Sequence, residues 1–355
     1  MSRSQEPPRT FLPFGNPFRM ILPKGSYPSP KQLDLLNTFE ETLSGRLKNL
    51  KPANQNDVLH LSWMRKATES LCETHADIKI LITALELPVR DWDEKWIDVY
   101  LSNSMKLLDI CLSFTSEIAR LRQGHLFLAC ALHDLKSASS KKFIEARSSL
   151  DEWKHFINSK NPRLDECFSI MDNLVKTIDD VPKIKNSSKG KILMRAMYGV
   201  KVLTLFVCSS FFAAFSGSAK KLIDLRVPEA CSWAPAFIDV QNFVNTAIRN
   251  KYSKGMLTVL KELEDVYVIV KELYPIVQDG VRDAAEAEMF GKIVLDLEKT
   301  DEKLYEGLNL VGKEVDGFFK VILSGRDALL CNLRFVGSVS DEVRSVVNVH
   351  GQAVR

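Results

Sequence analysis

The sequence predicts an all-α protein, an elongated and mostly antiparallel bundle of long helices. Three observations predict it. From Lys31 to about Leu333, apolar residues recur at i, i+3 and i+4 almost without interruption. Short breaks containing Pro or Gly separate the periodic segments, as expected of helices joined by tight connections. No segment combines apolar/polar alternation with β-branched enrichment and turn dipeptides, so no sheet is expected; the Val-rich stretch after Gly337 is the one place left for a strand.

The first thirty residues stand apart. Pro7, Pro8, Pro13, Pro17, Pro23, Pro28 and Pro30 each remove a backbone donor and forbid a continuing helix. Arg3, Arg9, Arg19, Lys24 and Lys31 face one acid, Glu6, before Asp34. Two readings stay open: a cleaved organelle transit peptide, or an arm whose Phe11, Phe14 and Phe18 pack on the fold. The chain therefore divides into a Pro-rich arm (1–30), a single helical domain (31–334) and a C-terminal tail (335–355).

Within the domain, Leu33, Leu36, Phe39 or Glu40, Leu43, Leu47 and Leu50 stripe a first helix that stops at Pro52. Leu59, Trp63, Ala67, Leu71, Ile78, Leu81 and Leu85 stripe a second, from about Asp57 to Leu87, ended by Pro88. Asp91 to Glu94 resembles a capping box and opens a long tract with Trp96, Val99, Leu107, Leu108, Ile118 and Leu121, which Gly124 is expected to split near Leu132. Phe143, Ala146, Leu150, Trp153 and Ile157 mark the next helix, Pro162 breaks it, and Leu164, Cys167, Phe168, Met171, Leu174 and Ile178 mark another. Val181 to Gly190 reads as an internal linker.

Between Asp180 and Asp224 there is no acidic residue. Lys183, Lys185, Lys189, Lys191, Arg195 and Lys201 lead into an uncharged run, Val202 to Ala219, closed by Lys220 and Lys221. As a helix the run would be roughly 27 Å long, slightly short of a hydrocarbon core of about 30 Å. Ser209, Ser210, Ser216 and Gly217 interrupt its apolarity, and Ser209/Ala213/Gly217 and Ser210/Ala214/Ser218 repeat every fourth residue, which lets a second helix approach closely. The run is expected to be the buried central helix of the bundle. Membrane contact would then be peripheral, through Lys183, Lys185, Lys189, Lys191 and Arg195 on an anionic leaflet, provided they stay exposed.

Beyond the run, Pro228 and Pro235 bracket a connection holding Trp233, and helical spacing resumes at Phe237, Val240, Val244 and Ile248. The last third is the most regular: Leu304, Leu308, Val311, Val315, Phe318 and Ile322 step by alternating four and three residues, the seam of a long bundle helix. Asp301 breaks that seam one heptad earlier, so the packing there should change. Gly325-Arg326-Asp327 reads as a helix break and restart, and Asp279 to Glu288 as a solvated linker or helix face. The Trp residues are expected between helices or beside their starts.

The composition narrows function. A net charge of +3 on 355 residues gives no global field for nucleic acid. Seven Cys without a C-x-x-C pair or signal peptide argue for reduced thiols inside the cell. There is no dinucleotide fingerprint, Walker A loop, nucleophile elbow or H-E-x-x-H, so no catalytic residue and no cofactor is assigned. Cys72/His75 and Cys130/His133 form two C-x-x-H pairs, but three-residue spacing is what a helix gives any two residues on one face, and core filling outweighs zinc.

Several longer strings carry a resemblance. Pro13 to Phe18 (PFGNPF), Glu69 to His75 (ESLCETH), Leu85 to Val89 (LELPV), Asp91 to Trp96 (DWDEKW), Ser159 to Arg163 (SKNPR), Lys189 to Lys201 (KGKILMRAMYGVK), Thr258 to Glu264 (TVLKELE) and Glu314 to Leu330 (EVDGFFKVILSGRDALL) resemble the plant BYPASS family over nearly the whole chain. The resemblance implies a non-enzymatic regulator of root and shoot development that keeps the root from making a mobile, growth-arresting signal. It supplies no catalytic residues. A vesicle-tethering accessory protein and an enzyme acting on a small signal precursor stand as alternatives. The expected location is intracellular, cytoplasmic with peripheral membrane association, with the chloroplast or an integral membrane state as the other options.

Overall fold

The computed structural model describes residues 28–86, 94–137, 140–178, 188–254 and 260–350. They form α1 (Pro30–Leu50), α2 (Leu61–Ala84), α3 (Glu94–Leu135), α4 (Ser140–Asn158), α5 (Pro162–Lys176), α6 (Ser188–Ser216), α7 (Ala234–Ser253), α8 (Lys261–Asp279) and α9 (Ala284–His350), with short 3-10 turns at Gln55–Asp57 and Ala219–Lys221. No strand occurs among the described residues, and the protein is an elongated all-helical bundle. The arm through residue 27, the capping motif at Asp91 to Asp93 and most of the linker, 179–187, lie outside the described residues.

Local chemistry sets the helix ends. Ser29 Oγ accepts the Gln32 N–H at 3.3 Å while Gln32 Oε1 accepts the Ser29 N–H at 3.0 Å, a capping box with Pro30 at the first helical position. Asn161 Oδ1 caps α5 ahead of Pro162 by accepting the Arg163 N–H at 3.1 Å. Gly217 (φ 64°) ends α6 and Gly280 (φ 81°) ends α8, both in a region that a side chain disfavours. Asp283 Oδ1 then accepts the Glu286 N–H at 2.8 Å and opens α9, so the acidic stretch is a helix junction.

Two expected breaks are absent for a packing reason. α3 continues through Gly124, where a Cβ would lie 3.2 Å from Ile157 Cδ1 and 3.4 Å from Trp153 Nε1. The glycine admits α4 to close range; it does not split α3. Likewise α9 runs unbroken through Gly325-Arg326-Asp327, because Arg326 Nη1 reaches α3 and donates to the Leu101 carbonyl at 2.7 Å and to Ser104 Oγ at 3.1 Å. The Val-rich stretch after Gly337 is helical as far as His350.

The helices assemble as two joined rings. In one, α3 packs on α4 and α9, and α8 closes the ring against both α4 and α9. Adjacent members run antiparallel: Lys136 pairs with Glu298 and Arg326 reaches Leu101 across α3 and α9, and Asp134 meets Lys142 across α3 and α4. In the other, α1 touches α2, α6 and α7, with α6 between them. Here long connections return the chain to the same end, so α1, α6 and α7 run parallel. Glu40 meets Arg195, Phe206 meets Phe237, and Tyr252 Oη donates to the Ala213 carbonyl at 2.6 Å. α2 joins the rings by lying on both α6 and α9, and α5 does so through α3 and α6.

α6 is the core of the second ring. Every residue from Val202 to Phe215 is buried, although the helix is long and apolar enough to cross a membrane. Phe114 of α3 sits 5.6, 5.0 and 5.7 Å from the rings of Phe211, Phe212 and Phe215. Two hydroxyls of α6 are satisfied locally: Ser210 Oγ donates to the Phe206 carbonyl at 3.0 Å, and Ser209 Oγ accepts the Ile223 N–H at 2.8 Å. α1 approaches α6 closely at Gly199, where a Cβ would lie 2.7 Å from Leu43 Cδ2.

The α9 seam is buried as its spacing requires, Leu304, Leu308, Val311, Val315, Phe318 and Ile322 each being 5% exposed or less. Trp63, Trp153 and Trp233 are buried, and the Trp63 indole donates to the Leu50 carbonyl at 2.8 Å.

Candidate functional site

The two rings do not close fully on one another. Between α2, α3, α5, α6 and α9 they leave a cavity of about 630 Å³. Its walls are mainly aliphatic and thioether: Ile78 and Ile82 from α2, Leu107 from α3, Leu174 from α5, Met194, Met197, Val200 and Leu205 from α6, and Val321, Ile322 and Leu329 from α9. Three of the strings that carry the family resemblance meet here, through His75, through Met194 to Lys201, and through Lys320 to Leu329.

Polar groups on these walls are few and placed. His75 Nε2 lies 3.2 Å from Thr204 Oγ1, and its ring stands edge-on to Phe318 at 5.1 Å. The hydroxyl itself donates to the Val200 carbonyl at 2.8 Å, so the imidazole nitrogen facing it carries the proton. Lost hydration keeps this imidazole neutral, its pKa pushed down to about 4. Burial likewise raises the Tyr100 phenol, against the opposing pull of Arg326. Lys79, Lys201 and Lys320 contribute cationic groups, with the Lys201 ammonium donating to the Thr177 carbonyl. No Asp or Glu lines the cavity among the described residues.

These buried thiols are poor nucleophiles. Burial pushes Cys72 up to about 11 and Cys111 up to about 12, and holds Cys208 well above the usual thiol value. Among the described residues no three His, Cys, Asp or Glu side chains gather as a metal site: His75 is turned to Thr204, whereas Cys130 is exposed.

The basic cluster is divided by the structure. Lys183 and Lys185 lie outside the described residues. Lys189 and Lys191 are half-buried at the start of α6, and Lys189 Nζ donates to the Glu86 carbonyl at 3.3 Å. Arg195 does not stay exposed toward a membrane. It turns inward, its Nε 2.5 Å from Oε1 of Glu40, a carboxylate only 2% exposed, and its Nη2 donates to the Ala230 carbonyl. Ser232 completes the set, its N–H and Oγ donating to Glu40 Oε2 at 3.1 and 2.7 Å. Arg195 therefore joins α1, α6 and the α6–α7 connection.

A second cavity, about 310 Å³, lies beside the α4–α5 turn. Glu117, 1% exposed, accepts from Arg120 at 2.9 and 2.6 Å and from Asn161 Nδ2 at 3.0 Å. Arg120 Nη1 also donates to the Phe156 carbonyl. Glu117, Arg120 and Asn161 are thus occupied in holding this turn, whereas Ser216 Oγ on the same wall is buried without a hydrogen-bond partner among the described residues.

Fold and site define a helical protein of two joined rings around an apolar cavity, and no solved structure matches it. The chain is 50% identical over its whole length to "Protein BPS1, chloroplastic" of Arabidopsis thaliana, covering 99% of that protein. It is 45% identical to "UPF0496 protein 4" of Oryza sativa, of both the indica and japonica subspecies, over 77% of this chain and 61% of the rice protein. The family described as "Protein ROH1-like" matches residues 24–152. The chain belongs to the plant BYPASS/UPF0496 family, and with it to a class of plant developmental regulators.

Proposed function

We propose that this protein is a non-enzymatic regulator of root and shoot development that keeps the root from producing a mobile, growth-arresting signal. The end-to-end identity with the Arabidopsis BPS1 protein carries the reading. Reciprocal grafting tests it. A root lacking the protein, grafted under a normal shoot, should arrest that shoot, and a normal root under a shoot lacking it should restore growth. Normal growth of the first graft overturns the proposal.

The protein acts at a membrane surface, with the chloroplast, the compartment in the relative's name, as the location to test first. Lys183, Lys185, Lys189 and Lys191 supply the attraction to anionic lipid, each worth about 1 kcal/mol when exposed. Arg195 is left out of this set because Glu40 holds it. Native membranes should release the protein in high salt, and changing the four lysines to Gln should abolish binding. Retention through salt and alkaline carbonate would sink the peripheral reading.

A further inference from the structure

We propose that the cavity between α2, α3, α5, α6 and α9 binds a neutral apolar molecule carrying one hydroxyl group, of the class of long-chain alcohols, with Asn103 of α3 holding the hydroxyl. A volume of about 630 Å³ falls within the range of pockets that enclose small organic ligands. Walls built mainly of aliphatic and thioether side chains hold water poorly, so an apolar chain that displaces it is favoured. Met194 and Met197 add side chains that adapt to a chain of variable shape.

Electrostatics excludes an ionised ligand. Lys79 and Lys320 are exposed at the rim, where pairing with a charge in water is worth little. The Lys201 ammonium is already engaged, donating to the Thr177 carbonyl. Between the walls the His75 imidazole is neutral and bonded to Thr204, and no Asp or Glu lines the cavity among the described residues. A carboxylate or an ammonium drawn inside would lose its hydration and find no counter-charge, whereas a neutral ligand escapes that cost.

The hydroxyl follows from what the polar side chains already do. Thr204 bonds to His75 and to the Val200 carbonyl, and Ser104 Oγ donates to the Leu101 carbonyl and accepts from Arg326. Asn103 differs. It lines the cavity midway along the α3 wall between Val99 and Leu107, half-buried, and its amide makes no hydrogen bond among the described residues. An amide presents N–H and C=O side by side, so a hydroxyl, which both accepts and donates, meets both groups; an ether meets only the N–H, and a hydrocarbon meets neither.

The site is tested on the full chain with N-phenyl-1-naphthylamine, a neutral apolar dye that fluoresces when removed from water. Saturable binding of one dye per chain is expected, with displacement by 1-dodecanol. The methyl ether of dodecanol should compete about threefold or more weakly, the loss of one hydrogen bond, and dodecanoate about tenfold or more weakly. Asn103→Leu should keep the dye and bring alcohol and ether to equal affinity. Val321→Trp, which fills the cavity from α9, should lose the dye while keeping its helical circular dichroism; should that variant unfold, Ile82→Trp from α2 carries the same test. No saturable binding, as when another part of the chain occupies the cavity, overturns the proposal. So does dodecanoate competing as well as dodecanol, a preference for the alcohol that survives Asn103→Leu, or dye binding that the Trp variants leave unchanged.

Discussion

Asp301 Oδ2 lies 2.7 Å from His125 Nδ1, and the carboxylate side chain is only 3% exposed. The pair stands where the apolar repeat of α9 is interrupted, and the His125 ring stacks on Tyr305 one turn further along, at 4.5 Å. The interruption is therefore a polar latch between the two longest helices of the first ring.

Burial raises the Asp301 carboxyl to about 6, with His125 opposing the rise. A carboxyl whose folded pKa exceeds its unfolded value binds more protons when folded, so its contribution to stability declines as pH rises from about 4 through about 6. His125→Ala removes the opposing partner and strengthens this trend. The variant should lose more thermal stability, relative to the parent, at about pH 8 than at about pH 5. An equal loss at both would rule out a buried, partnered carboxylate.

His75 gives the opposite slope. Its folded pKa is lowered to about 4, so between about 4 and 6.5 the unfolded chain binds a proton that the folded chain refuses. Its contribution is complete above about pH 6.5 and is lost as pH falls toward 4, up to about 3 kcal/mol in all. His75→Gln keeps a donor for Thr204 and removes the titration. Its denaturation midpoint should vary less with pH across that window than the parent's.

The α9 seam tolerates no charge. Val315→Asp or Phe318→Asp places a carboxylate among residues 5% exposed or less and should cost several kcal/mol, on the order of 3 or more. Leu310, 44% exposed on the same helix, should accept Asp with a change within about 1 kcal/mol. Similar thermal midpoints for the three variants would disprove the seam.

Two glycines of α9 should respond with opposite signs. At Gly307 a Cβ would lie 2.6 Å from Leu61 Cδ1 and 3.2 Å from Leu61 Cβ, so Gly307→Val should cost about 1–3 kcal/mol by forcing α2 away. At Gly317 a Cβ meets nothing within 4 Å, and Gly317→Ala should stabilise by about 0.5–1 kcal/mol through helix propensity. Chemical denaturation measures both.

Removing Arg195 leaves Glu40 buried without its cation, and Arg195→Gln should destabilise the fold by about 3–5 kcal/mol. Lys189→Gln and Lys191→Gln should leave the thermal midpoint nearly unchanged. A membrane-binding assay on the four-lysine variant therefore reports on charge alone, whereas one that includes Arg195→Gln also reports on folding.

What the sequence made legible was periodic or punctuated. The seam from Leu304 to Ile322, the start of helix near Lys31, the break at Pro162 and the burial of the uncharged run follow from spacing and from residues with one local meaning. Illegible were features decided by a distant segment. Gly124 and Gly325 read as breakers because the sequence does not show Trp153 or Tyr100 beside them. Arg195 read as a surface cation because Glu40 is 155 positions away. The cavity needed five helices in register, and its lining looked like ordinary core on each helix taken alone.

The order in which the rings close has a consequence for synthesis on the ribosome. Much of the cover for α6, from α1, α2, α3 and α5, is already made when α6 emerges, so its lipid-like surface can be sequestered at once and α7 completes the shield soon after. The faces that α2 and α3 present to α9 have no such partner until the end of translation. During that interval these apolar stripes are bare, and the nascent chain depends on chaperones there and not at its most hydrophobic helix.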